Sequence, residues 1–136
     1  MSRKTESNPC PCGQPLTYDA CCGQYVDHPE TPAPTAEALM RSRYTAYTLK
    51  CSNYLLSTWY PDTRPDQLDL ASEDGPVKWL GLDVLSHAAG QPGDQEGTVE
   101  FVARFKVNGR AQKLHEISRF VSLDGRWYYV DGDFVS

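Results

Sequence analysis

Four of the five cysteines in this chain fall in two short runs, Cys10-Pro11-Cys12-Gly13 and Cys21-Cys22-Gly23. That spacing lets four sulfurs converge on one ion. Zinc held by thiolates takes a tetrahedron with Zn–S distances of about 2.3 Å, and a tight turn carrying Cys-x-Cys can fill two corners while a second short segment fills the others. Between Ser2 and Gln24 the only sizeable apolar side chains are Leu16 and Tyr18. Such a segment cannot build its own core, so a metal would have to hold it.

Other chemistries use clustered cysteines. A disulfide framework is one, but the chain opens Met1-Ser2-Arg3-Lys4-Thr5-Glu6 with no apolar stretch behind it. That opening carries no secretory signal, which makes the reducing cytoplasm the expected location and metal binding the commoner fate of thiols. A redox dithiol is the second alternative, although its usual Cys-x-x-Cys spacing at a helix start is missing. Iron–sulfur chemistry and replacement of one thiolate by His28 complete the set. The expectation is structural Zn2+ on Cys10, Cys12, Cys21 and Cys22. A site closed by four thiolates leaves no open position for a reacting water.

The run Cys10-Pro-Cys-Gly-Gln-Pro-Leu-Thr-Tyr-Asp-Ala-Cys-Cys-Gly23 resembles a SEC-C motif, a short zinc-binding module. Farther along, Leu39-Met-Arg-Ser-Arg-Tyr-Thr-Ala-Tyr47, Trp79-Leu-Gly-Leu82, Glu100-Phe-Val-Ala-Arg-Phe105 and Gly125-Arg-Trp-Tyr-Tyr-Val-Asp-Gly132 resemble the YchJ family of small bacterial proteins. The likeness runs from about Pro9 to Gly132. It implies a zinc knuckle, then a cone-shaped domain of the nuclear transport factor 2-like (NTF2-like) type, and it carries no settled activity.

Composition sets limits independent of any family. With 136 residues, 40% of them hydrophobic, the chain can hold one domain with a real core plus a small appendage. No window approaches the roughly 18 apolar residues a membrane span needs. A net charge of -5 argues against nucleic acid as a partner, since backbone binding depends on excess Lys and Arg. Arg3-Lys4 and Arg41 to Arg43 read as ordinary solvated surface.

Elements follow from the periodicity. Asp27 to Pro34 is a proline-rich linker. Thr35 can cap a helix whose apolar stripe is Met40, Tyr44, Tyr47, Cys51, Tyr54, Leu55 and Thr58, with a break near Ser52 and Asn53. Cys51 reads as a small core residue. A short helix is possible over Asp66 to Ser72. Val77 to His87, Gly97 to Val107, Arg110 to Leu123 and Arg126 to Phe134 read as strands, with turns at Asn108-Gly109 and Asp124-Gly125. Helices followed by a meander give an α+β fold, divided into a knuckle over 1-29 and an α+β domain over 30-136 with its own core. Val99, Phe101, Ala103, Phe105 and Val107 share one strand face and should cover the helices. The last strand is apolar on both faces, as expected of a central or covered strand.

The resemblance to a cone-shaped fold implies a pocket, for which Tyr44, Tyr47, Trp59, His115 and Glu116 are the candidates. Adjacent strand residues point to opposite faces, so His115 and Glu116 cannot both enter it without a bulge. Glu100, Arg104, Glu116 and Arg119 read most simply as cross-strand charge pairs. Two functions follow. One is a binding or adaptor protein whose knuckle contacts a protein partner while the second domain binds a small molecule or forms a homodimer through its sheet. The alternative is a small-molecule-binding protein or enzyme that uses the pocket.

Overall fold

In a computed structural model, residues 10–28, 30–66, 77–107 and 109–135 are described. A 3-10 turn at Tyr18–Ala20 leads into the short helix α1 (Gly23–Val26), and after the linker comes the long helix α2 (Ala36–Leu49). Thr35 Oγ1 accepts from Ala38 N–H at 3.0 Å, which satisfies one of the free donors of the first turn. Glu37 sits in that turn and pairs with Arg41 one turn later at 3.0 Å.

Helix α2 stops because Lys50 turns left-handed at φ 60°, after which Cys51 N–H donates back to Ala46 O at 2.8 Å. The break therefore falls just before Ser52, and Ser52 opens the next helix, α3 (Ser52–Ser57), instead of interrupting one. Cys51 is half-buried at that junction and packs on the core.

Four antiparallel strands follow in the order β1 (Val77–Ala89), β2 (Glu96–Val107), β3 (Arg110–Leu123) and β4 (Arg126–Phe134). Asp124 (φ 52°) and Gly125 (φ 79°) form the β3–β4 turn with positive φ at both central positions, the geometry that matches strand twist. Register shifts at Trp79/Gly81 and Val84/Ser86 in β1, and at Arg119/Phe120 between β3 and β4, bend the strands and wrap the sheet over α2. Asn108, and the short helix expected over Asp66 to Ser72 beyond Asp66 itself, lie outside the described residues.

Val99, Phe101 and Ala103 are buried on the face toward the helices, as the alternation of β2 requires. The final strand is not central. It is an edge strand, and the covered alternative holds: the chain after α3 lies along it, with Tyr129 N–H donating to Thr58 O (2.8 Å) and Tyr60 N–H to Tyr129 O (2.7 Å).

Among the described residues the second domain has no core separate from the knuckle. Cys10, Cys12, Cys21, Cys22 and Val26 belong to the same buried cluster as Leu39, Met40, Tyr44, Phe101 and Phe120. The knuckle is too poor in apolar residues to close on itself, so it closes against α2. Among the described residues no helix is long and apolar enough to cross a membrane.

Candidate functional site

The sulfurs of Cys10, Cys12, Cys21 and Cys22 all lie within 4.8 Å of one another, and all four residues are buried. A tetrahedron with 2.3 Å bonds to sulfur places ligands about 3.8 Å apart, and Cys12 and Cys21 already stand at 3.6 Å. Backbone bonds fix the turns: Gly13 N–H to Cys10 O at 3.1 Å, Cys10 N–H to Leu16 O at 2.9 Å, and Val26 N–H to Cys22 O at 2.9 Å. Helix α2 braces the cluster from behind, with Arg41 Nη1 on Cys12 O at 3.1 Å and Thr45 Oγ1 3.8 Å from Cys10 Sγ.

The proton affinities of these thiols are split. Hydrogen bonds from Cys12 and Cys22 hold Cys10 far below the usual thiol range, while burial pushes Cys21 up to about 12 and the hydrogen bonds with Cys10 and Cys12 push Cys22 higher still. Protein groups alone thus favour Cys10 as a thiolate and Cys21 and Cys22 as thiols. A dication is what would let all of them ionise, and the donor set fits a metal. His28 is exposed and lies 3.7 Å from Glu30, so it takes no part in the cluster.

On the opposite side of α2 the curved sheet leaves a cavity of about 320 Å³. Helix α2 contributes Met40, Arg43, Tyr44 and Tyr47, whose spacing of three and four puts them on one stripe. Trp59 enters from the segment after α3, and the sheet adds Trp79, Phe101, Ala103, Leu114, Glu116, Ser118 and Tyr129. Half of the lining residues are aromatic, with Tyr44 edge-on to Trp79 and Tyr47 tilted against it at centroid distances of 5.6 and 6.0 Å.

Three polar groups stand out. Arg43 is 4% exposed, its guanidinium lying 5.0 Å from the centre of the Trp59 ring and 4.7 Å from that of Tyr129. Its Nη1 donates to Leu55 O and to Thr58 Oγ1, both at 2.7 Å. Burial lowers its proton affinity, against the pull of Tyr47, Tyr129, Tyr54 and Glu116. The buried Glu116 carboxylate accepts through Oε2 from Ser118 Oγ (2.8 Å) and Tyr129 OH (3.2 Å). A cation–carboxylate contact between Arg43 and Glu116 is absent. Trp59 Nε1 is buried with no hydrogen-bond partner among the described residues.

The sequence-derived candidates are distributed as the pleat dictates. Tyr44, Tyr47, Trp59 and Glu116 line the cavity, whereas His115 is on the outer face, 2.7 Å from Glu100 Oε2. Glu116 is not a cross-strand charge pair: Glu100 bonds His115, Arg104 meets Asp83, and Arg119 meets Asp131 and Asp133. Arg43 is not solvated surface either. It sits three residues after Met40 and four before Tyr47, and that position on the apolar stripe was the available signal. Ser118, Tyr129 and Gly132 were not legible as site residues. A Cβ on Gly132 would come within 1.9 Å of Glu116 Oε2, so this glycine makes room for the carboxylate.

Fold and site together define a small α+β protein of the NTF2-like type that carries a four-cysteine knuckle. Residues 35–132 match the family model described as the middle NTF2-like domain of YchJ, and the chain belongs to that family. A UPF0225 protein of Chromobacterium violaceum is 55% identical over 131 residues, covering 96% of both chains. One from Bordetella pertussis is 52% identical over 134 residues, covering 96% of this chain and 98% of its own. The solution structure of a SEC-C motif containing protein from Rhodopseudomonas palustris has a TM-score of 0.80 at 40% identity, over 93% of this chain and 98% of the other. A crystal structure of a SEC-C motif containing protein from Psychrobacter arcticus has a TM-score of 0.76 at 31% identity, over 98% and 86%.

Proposed function

We propose that this is a small-molecule-binding protein in which the cavity does the work and the cysteine cluster holds Zn2+ as a structural staple. The observation that carries this reading is the unpartnered Trp59 Nε1 at the wall of a cavity that also holds Glu116 and Arg43. A buried donor without an acceptor costs about 1–3 kcal/mol. A bound molecule offering an acceptor would recover that energy. The zinc assignment rests on the four convergent sulfurs and on the SEC-C motif in the names of the structural relatives.

The test for the cavity is a ligand-observed NMR fragment screen on the intact protein and on Ala103→Leu, which fills the cavity from the β2 wall. Hits on the first and none on a folded Ala103→Leu support the reading; hits common to both place binding elsewhere. For the metal, native mass spectrometry should find one zinc per chain and none in Cys12→Ser.

A second reading keeps a protein partner for the knuckle, favoured by Leu16, which is 47% exposed beside the buried cysteines. A partner retained from the native cell by the intact protein but lost by Leu16→Asp would support it. Equal recovery by both would count against it.

A further inference from the structure

The cavity's polar groups restrict the charge and shape of what it can hold, and this deepens the proposed binding function and rests on it. Arg43 and Glu116 are both buried, share the same aromatic enclosure and are not paired with one another. Each is already held on one side, Arg43 through Nη1 by Leu55 O and Thr58 Oγ1 and Glu116 through Oε2 by Ser118 and Tyr129 of the cavity wall itself. Arg43 Nε and Nη2 and Glu116 Oε1 keep no hydrogen bond to the described residues. Together with Trp59 Nε1, the site therefore has spare donors at one place and a spare acceptor at another.

A monoanion would meet Arg43 and Trp59 favourably and Glu116 unfavourably. For a monocation the preference reverses. Buried like charges a few ångströms apart are strongly disfavoured, so a ligand with net charge of either sign loses at one end what it gains at the other. Flat walls of Tyr44, Trp59 and Trp79 favour a planar ring that can pack against them face or edge on. We infer that the cavity binds an uncharged planar heterocycle carrying an adjacent acceptor and N–H donor, a cyclic amide or imide, with the carbonyl toward Trp59 and Arg43 and the N–H toward Glu116. Its size is that of a one- or two-ring compound, given a cavity at the small end of the range for ligand sites.

The test uses three probes of matched size, 2-quinolinone, 2-naphthoate and 2-naphthylmethylamine, with N-methyl-2-quinolinone as the control for the donor. Titration is followed by tryptophan fluorescence, since Trp59 and Trp79 line the cavity, and by protein NMR. We expect 2-quinolinone to bind at least tenfold tighter than either charged probe, and N-methylation to weaken it about tenfold, the effect of one hydrogen bond to a charged acceptor. Trp59→Phe, which keeps the ring and removes the N–H, should weaken 2-quinolinone several-fold. Glu116→Gln should raise the affinity for 2-naphthoate relative to the intact protein. Tighter binding of a charged probe, or indifference to both N-methylation and Trp59→Phe, overturns the ligand class while leaving the cavity a binding site. Binding of none of these probes, with an empty fragment screen, overturns the proposed function as well.

Discussion

The substitution Gly132→Ala isolates the support of the buried carboxylate. Ser118 on β3 pairs with Gly132 on β4, and the Glu116 side chain lies across the glycine. An added Cβ would stand 1.9 Å from Oε2 and 2.6 Å from Cδ, far inside van der Waals contact, so the carboxylate must swing away. That movement breaks the hydrogen bonds from Ser118 (2.8 Å) and Tyr129 (3.2 Å). Hydrogen bonds to an ionised acceptor contribute about 1.5–3 kcal/mol each, and the displaced carboxylate recovers part of that by facing the cavity, so the net loss should be about 2–4 kcal/mol. For a chain of this length each kcal/mol moves Tm by roughly 3 °C. Urea unfolding of Gly132→Ala, Glu116→Ala and the double variant closes a thermodynamic cycle. With Glu116 already truncated, Gly132→Ala should cost less than about 1 kcal/mol. An equal loss in both backgrounds would refute the argument, because the glycine would then serve the backbone and not the carboxylate.

Other outcomes follow from features elsewhere. On the proposed metal binding, a strong chelator should lower Tm in a single transition that includes the sheet, since the cysteines share the core of α2; at metal a thousandfold above Kd the stabilisation would be about 4 kcal/mol, and two separate calorimetric transitions would contradict the shared core. Lys50→Gly should stabilise the protein by about 1 kcal/mol in urea, because Lys50 occupies a left-handed cap that glycine enters without strain. Burial raises the Tyr44 phenol to about 12 from an ordinary 10, so the neutral ring stabilises the fold below pH 10 and that contribution is lost as pH rises through 12. Tyr44→Phe should flatten the fall in stability over that window, measured by urea unfolding at successive pH values.

The order of elements was legible because each signal was local. Thr35 announces the helix, Asp124-Gly125 a hairpin, and the alternation of Val99, Phe101 and Ala103 the buried face of β2. The cysteine cluster was legible for the same reason: its ligands lie within a dozen residues of one another. The cavity was only partly so. Tyr44 and Tyr47 could be read from the helical stripe, but the polar chemistry depends on where β3 and β4 stand relative to α2. Arg43 looked like surface because arginine usually is; its burial depends on Trp59 and Tyr129, brought to it by a bridge between distant segments. The role of Gly132 depends on the register of β3 with β4, which no local pattern reveals.

Helix α2 is walled in on both sides, by the knuckle along Arg41 and Thr45 and by the sheet along Met40, Arg43 and Tyr47, and only Leu49 of its length is exposed. Most globular helices have a solvent stripe where substitutions are cheap. This one has almost none, so it should be the least tolerant segment in a saturation-mutagenesis survey, with polar positions such as Ser42 and Thr45 as intolerant as Leu39. Any reshaping of the cavity would then have to proceed mainly through the strands, because a change in α2 that alters it also disturbs the cysteines behind it.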